Sequence, residues 1–131
     1  MTITIPAELV SLLRDGLRFD LHGQLDSTAA LLEPRDRKDI RAEVDGGLAR
    51  ANGARALLNV VGWIEPVDEA FPVEVDVREH RDTLLRALLT RIESECSVRE
   101  DREASDAERA EAKVRIRELG DLIARVEESD R

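Results

Sequence analysis

The chain has 131 residues, of which 42% are hydrophobic and 37% are charged, and its formal net charge at pH 7 is −9. This balance is too apolar for a disordered chain and too charged for a membrane protein, and the length is typical of one domain around one core. The negative charge disfavours nucleic acid and anionic membrane as partners, because it repels both. Cys96 is the only cysteine and no segment reads as a signal peptide or membrane span, so we expect a cytoplasmic protein without an internal disulfide.

The chain opens with an alternating segment, Thr2–Ile5, followed by Pro6 and a helical pattern. Over about ten residues this order resembles the strand and first helix of ribbon-helix-helix DNA-binding proteins, but the alternating segment carries no Arg, Lys, Asn or Gln with which to read bases. We therefore expect an arm that packs Ile3 and Ile5 over the end of the fold.

Leucines recur every four residues from Leu9 to Leu25, which predicts an amphipathic first helix over residues 6–32. The break at Glu33-Pro34 is short, so the second helix, residues 35–61, should be an antiparallel neighbour of the first. Residues 65–75 contain two prolines and form the one long connection, within which Val73 and Val75 alternate with acids and predict a short extended stretch.

The third and fourth helices are predicted from their first turns. Asp76 with Glu79 has capping-box spacing and starts a helix at residue 77, while Ser105 with Glu108 starts another over residues 106–128. The alternative is one continuous rod, but residues 99–111 lack the apolar heptads that a rod needs, which favours a turn. The sequence thus predicts an all-α, antiparallel bundle of about four helices in a single domain, residues 1–131, with one long Pro-containing connection between helices two and three.

The second helix is predicted to be apolar on two sides. One side carries a core face of larger residues: Ile40, Val44, Leu48, Ala51 and Leu58. The other carries a face of small residues: Ala42, Gly46, Ala49, Gly53, Ala56 and Val60. Three glycines inside this helix cost about 2–3 kcal/mol relative to alanine, which close packing against another helix would offset.

Three packings of the small face stay open. In the first, the small face meets a matching face of helix one, made of Gly16, Gly23 and Ala30. In the second, it meets its own copy across a two-fold axis in a homodimer. In the third, it is exposed and merely tolerated.

No catalytic, cofactor-binding or metal-binding residues are predicted. His22, His80 and Cys96 form no recognisable ligand set, and the Glu-x-x-His pairs of di-iron bundles are missing. Cys96 lies among acidic residues, which disfavour the thiolate, and reads as a small hydrophobe at the edge of the core.

We therefore expect a non-enzymatic bundle that acts through protein–protein interaction, with another protein or a second copy as its partner. The alternative is a bundle that binds a small apolar or cationic ligand near Trp63, Phe71 and Asp20, and the third hypothesis is a metal-dependent enzyme. For Asp20 itself, two roles are open: a buried polar group that meets Asn52, Asn59 or Arg55, or a residue at the boundary of the core.

Overall fold

A computed structural model describes residues 1–31, 40–64 and 71–129, which form four helices and two short strands. In chain order these are β1 (Thr2–Ile5), α1 (Ala7–Leu31), α2 (Arg41–Val61), β2 (Val73–Asp76), α3 (Val77–Glu100) and α4 (Asp106–Glu128). The predicted break at Pro34, the predicted start of helix two at Arg35 and the first part of the proline connection, residues 65–70, lie outside the described residues. None of the helices in these ranges has the length and apolarity needed to cross a bilayer.

Helices three and four are separate and begin where the capping residues predict. The Asp76 carboxylate accepts a hydrogen bond from the Arg78 backbone N–H at 3.0 Å, which satisfies a free donor at the start of α3. Ser105 Oγ accepts from the Glu108 N–H at 3.1 Å, and its hydroxyl donates to the Glu108 carboxylate. A turn at residues 102–104 follows α3, so the single-rod alternative is wrong.

The all-α prediction is incomplete, because β1 and β2 pair as a two-stranded antiparallel sheet. Ile3 lies opposite Val75 and Ile5 lies opposite Val73, and the Val77 N–H donates to the Met1 carbonyl at 2.9 Å. Ile3 and Ile5 are buried in the core, as expected for the arm. The sequence predicts each alternating segment but not their pairing, because a local pattern carries no information about a distant partner.

The core lies between the helices and beneath the small sheet. α1 packs against both α2 and α3, and α4 packs against α3. The start of α1 contacts the end of α2 through Arg14 and Gly62, and its later part contacts the middle of α2 through Gln24 and Arg50. The largest fully buried side chains of the four helices are leucines: Leu13, Leu17, Leu57, Leu58, Leu84, Leu88, Leu119 and Leu122.

The glycines of α1 do not form the face that was predicted to meet α2. Gly16 instead faces α3, where a Cβ built on it would lie 2.7 Å from the Ala87 carbonyl oxygen. Gly23 has open space where its Cβ would be, and Ala30 is exposed. The packing of glycine face on glycine face between helices one and two is therefore wrong, since only Gly16 lies at a close helix contact and that contact is with α3.

Two glycines of α2 lie where a neighbouring helix comes close. A Cβ on Gly47 would overlap the Thr28 hydroxyl of α1, and a Cβ on Gly53 would lie 2.6 Å from the Thr83 hydroxyl of α3. Gly47 is buried and does not belong to the predicted small face. Close packing within the chain thus explains part of the glycine content of α2, and leaves most of the small face unexplained.

Candidate interaction surface

The buried side of α2 is rotated relative to the predicted core face. Ala51 and Leu58 are buried as predicted, whereas Ile40 and Val44 are half-buried and Leu48 is 45% exposed. The buried set is Gly47, Ala51, Ala54, Leu57, Leu58 and Val61. A helix with apolar residues on two sides can be buried along more than one stripe, and here the contacts to α1 and α3 select the stripe.

The small face of α2, defined by Ala42, Gly46, Ala49, Gly53, Ala56 and Val60, points outward. Its alanines and Val60 are exposed, while its two glycines are half-buried, Gly53 beside Thr83 of α3 and Gly46 beside Arg50 of α2 itself. Its members are separated alternately by four and three residues, and Trp63, just beyond the end of α2, follows at the same spacing in the sequence. This spacing is the heptad pattern with which one helix meets another in a coiled coil.

None of the six residues of the small face is charged. The exposed residues along its flank away from α3 are Arg41, Asp45, Asn52 and Asn59, so the charges of this flank lie near the start of α2. Surfaces that become the centre of a protein interface are similarly depleted of charge. The small face therefore differs from an ordinary solvated helix side.

The larger side chains lie at one end of the small face. Ala42 and Gly46 lie near the start of α2, whereas Val60 and Trp63 lie at its end and are 43% and 41% exposed. The Trp63 indole N–H donates to the Asn59 amide oxygen at 2.7 Å, which fixes the ring beside the last turn of the helix. The face thus has a small end and a large end.

Arg14 of α1 anchors the end of α2. Its guanidinium is buried and donates to the carbonyl oxygens of Gly62 at 2.8 Å and Val61 at 3.1 Å. These carbonyls lie at the negative end of the helix dipole, where a cation is favourable. Gly62 has a φ of 93°, a conformation that side chains disfavour, so the turn that carries Trp63 depends on this glycine.

Asp20 is a buried polar group, and its partner is on α3. Arg86 donates from Nε to Oδ1 at 2.9 Å and from Nη2 to Oδ2 at 2.8 Å, which makes a bidentate ion pair. Gln24 donates to the same carboxylate at 3.3 Å and accepts from Arg50 of α2 at 2.8 Å. The expected partners of Asp20 on α2, which were Asn52, Asn59 or Arg55, are therefore wrong, and so is its role at the boundary of the core. The spacing of residues along the sequence carries no signal for a partner on α3.

The three candidate ligand-binding residues lie in different surroundings. Trp63 is beside Asn59, Phe71 is 58% exposed just before β2, and the Asp20 carboxylate is occupied by Arg86 and Gln24. A ligand near Trp63 and Phe71 would thus find no free carboxylate at Asp20.

The candidate chemical groups are dispersed over the fold. Within residues 1–31, 40–64 and 71–129, no three His, Cys, Asp or Glu side chains are grouped so as to hold a metal ion. His22 is exposed on α1, His80 is buried at the start of α3, and Cys96 is half-buried late in α3. Among the described residues, the outward face of α2 is therefore a stronger candidate for a functional surface than any of these dispersed groups.

Comparison with known proteins adds no relative: no family model, no curated protein and no solved structure matches this chain.

Proposed function

We propose that this protein acts through protein–protein interaction, with the small face of α2 as its contact surface and a second copy of the chain as its partner. One observation carries the proposal: a helix face with heptad spacing and little charge points into solvent. Such a face stabilises a protein only when another helix covers it, because its small residues let two backbones approach closely.

The large side chains at one end of the face favour an antiparallel arrangement of the two copies. A two-fold axis across α2 would set Ala42 opposite Trp63 of the partner subunit and Ala49 opposite Ala56 of the partner subunit. The largest side chain, Trp63, would then meet a small one. A parallel pair would instead set each residue against its own copy, which leaves a gap at Gly46 and crowds two indoles together.

The polar border of the face suits the same arrangement. In the antiparallel pair, Asp45 would lie near Asn59 of the partner subunit. The oxygen of Asn59 is already used by the Trp63 indole, so its amide N–H groups are free to donate to a carboxylate. Among the described residues, Asp45 makes no other ion pair or hydrogen bond.

Two finer features of the architecture belong to this proposal. The four helices form an antiparallel bundle, supported by the contacts that join the start of α1 to the end of α2. The connection between α2 and α3 contains two prolines, Pro66 and Pro72. We place the protein in the cytoplasm, supported by its charge and its single cysteine.

The mass of the protein in solution, measured by light scattering over a range of concentrations, tests self-association. The wild type should shift from one chain to two as concentration rises, and Ala49→Glu should stay monomeric because it buries a charge in the interface. Ala124→Glu is the matched control, since Ala124 is an exposed alanine of α4, and it should behave as the wild type. A wild-type mass of one chain at every concentration overturns the proposal.

A further inference from the structure

A groove of about 350 Å³ lies between α1 and α3, away from the small face of α2. Its volume falls in the range of small-molecule sites, roughly 300–1,000 Å³. The residues that line it are Asp15 and Phe19 of α1 and Thr90, Arg91, Glu93, Ser94 and Ser97 of α3. The groove opens beside Gly16, where the two helices are close.

Hydrogen-bond acceptors dominate the lining. The Thr90 hydroxyl donates to the Arg86 carbonyl at 2.9 Å and the Ser97 hydroxyl donates to the Glu93 carbonyl at 3.2 Å, so both oxygens offer only lone pairs to a ligand. The carboxylates of Asp15 and Glu93 are exposed, and within the described chain neither forms an ion pair or hydrogen bond. A ligand here would meet two carboxylates and two accepting hydroxyl oxygens, with Ser94 and Arg91 as the donors of the lining.

The one cation in the lining, Arg91, is already paired with a carboxylate. Arg91 donates from Nη2 to the buried carboxylate of Glu95 at 2.9 Å, and Arg115 of α4 lies 3.7 Å from the same oxygen. Arg91 is thereby held along α3 beside a carboxylate, while its buried Nε has no hydrogen-bond partner among the described residues. The free carboxylates of Asp15 and Glu93 therefore make the electrostatic potential of the groove negative.

Phe19 adds an aromatic surface at the edge of the groove. It is 69% exposed, which is unusual for a phenylalanine with a buried helix side available to it. A ring in this position can pack against an apolar group and also attract a cation to its face. Of the ligand classes that a small groove accepts, only an organic cation uses both the ring and the carboxylates.

We propose that the groove between α1 and α3 binds an organic ammonium compound with an apolar stem. The ammonium group donates to the carboxylates of Asp15 and Glu93 and to the hydroxyl oxygen of Thr90. The apolar stem packs against Phe19. This site is independent of the small face of α2, so it stands whether or not the chain dimerises.

Titration of ¹⁵N-labelled protein with 2-phenylethylammonium tests the site, with 2-phenylethanol as the uncharged control of equal size. Saturable amide shifts should map to residues 15–19 and 90–97, and the amine should bind at least about fivefold more tightly than the alcohol, since two exposed charge pairs supply the difference. The proposal is overturned by equal binding of the two probes, by shifts elsewhere, or by no saturable shift.

Two double variants separate a built site from general attraction to an acidic protein. Asp15→Asn with Glu93→Gln should weaken amine binding about fivefold, while Glu127→Gln with Glu128→Gln removes the same charge from α4 and should change it less than twofold. Both doubles alter only exposed side chains, so the fold should be retained. An equal loss in the two doubles would mean that net charge alone attracts the amine, and would refute the site.

Discussion

Replacing Gly16 by alanine should destabilise the protein, while the same replacement at Gly23 should stabilise it. Both glycines lie inside α1, so each substitution gains about 1 kcal/mol of helix propensity. At Gly23 the new Cβ has nothing within 4 Å, and the gain is kept. At Gly16 the Cβ would lie 2.7 Å from the Ala87 carbonyl oxygen and 3.0 Å from the Arg91 side chain, and the carbonyl belongs to a helix backbone that cannot turn aside.

The size of the difference follows from overpacking. Forcing extra volume into a tight contact costs about 1–3 kcal/mol, and the propensity gain cancels between the two variants. Gly16→Ala should therefore be about 1–3 kcal/mol less stable than Gly23→Ala, measured by urea denaturation followed by circular dichroism. If the two variants are equally stable, α1 and α3 do not approach at Gly16 and the packing described above is wrong.

Three further substitutions test the contacts that hold the helices together. Asp20→Asn should lower the free energy of unfolding by about 2 kcal/mol. This is less than the roughly 3–5 kcal/mol lost when a fully buried pair is broken, because Arg86 is partly exposed. An unchanged urea midpoint would mean that the pair contributes nothing to stability. Arg14→Met should lower the free energy of unfolding by about 1–3 kcal/mol and speed amide exchange at the end of α2, because two carbonyls lose their donor. Arg18 is an exposed arginine of the same helix, so Arg18→Met should change neither quantity. Ser105→Ala should cost about 1 kcal/mol in the same denaturation assay, and a loss below about 0.3 kcal/mol would argue against the cap.

The ends of the helices were predictable because local chemistry sets them. Asp76 and Ser105 are capping residues, and α3 and α4 begin directly after them. The charged stretch after residue 98 offers nothing to bury, and the chain turns there. Signals of this kind need only a few neighbouring residues, so a single sequence is sufficient to read them.

Contacts between distant segments were not predictable in the same way. The sheet needs Ile3 beside Val75, and the polar network needs Asp20 beside Arg86, but no local pattern links the members of either pair. The burial of α2 is a related case. Its sequence predicts two apolar sides, but which stripe is buried depends on where α1 and α3 lie, and the buried stripe is rotated away from Leu48.

Cross-linking of two cysteine variants tests most directly whether the small face of α2 joins two antiparallel copies. Ala49→Cys and Ala56→Cys would each be made in a Cys96→Ser background, oxidised alone and as a mixture, and resolved on a non-reducing gel. An antiparallel pair sets residue 49 opposite residue 56, whereas like residues are offset by about 10 Å along the helix, beyond the reach of a disulfide. The account predicts a cross-linked dimer in the mixture and little in either variant alone. Equal cross-linking of each variant alone would indicate a parallel pair, and no cross-linking in the mixture would contradict the interface itself.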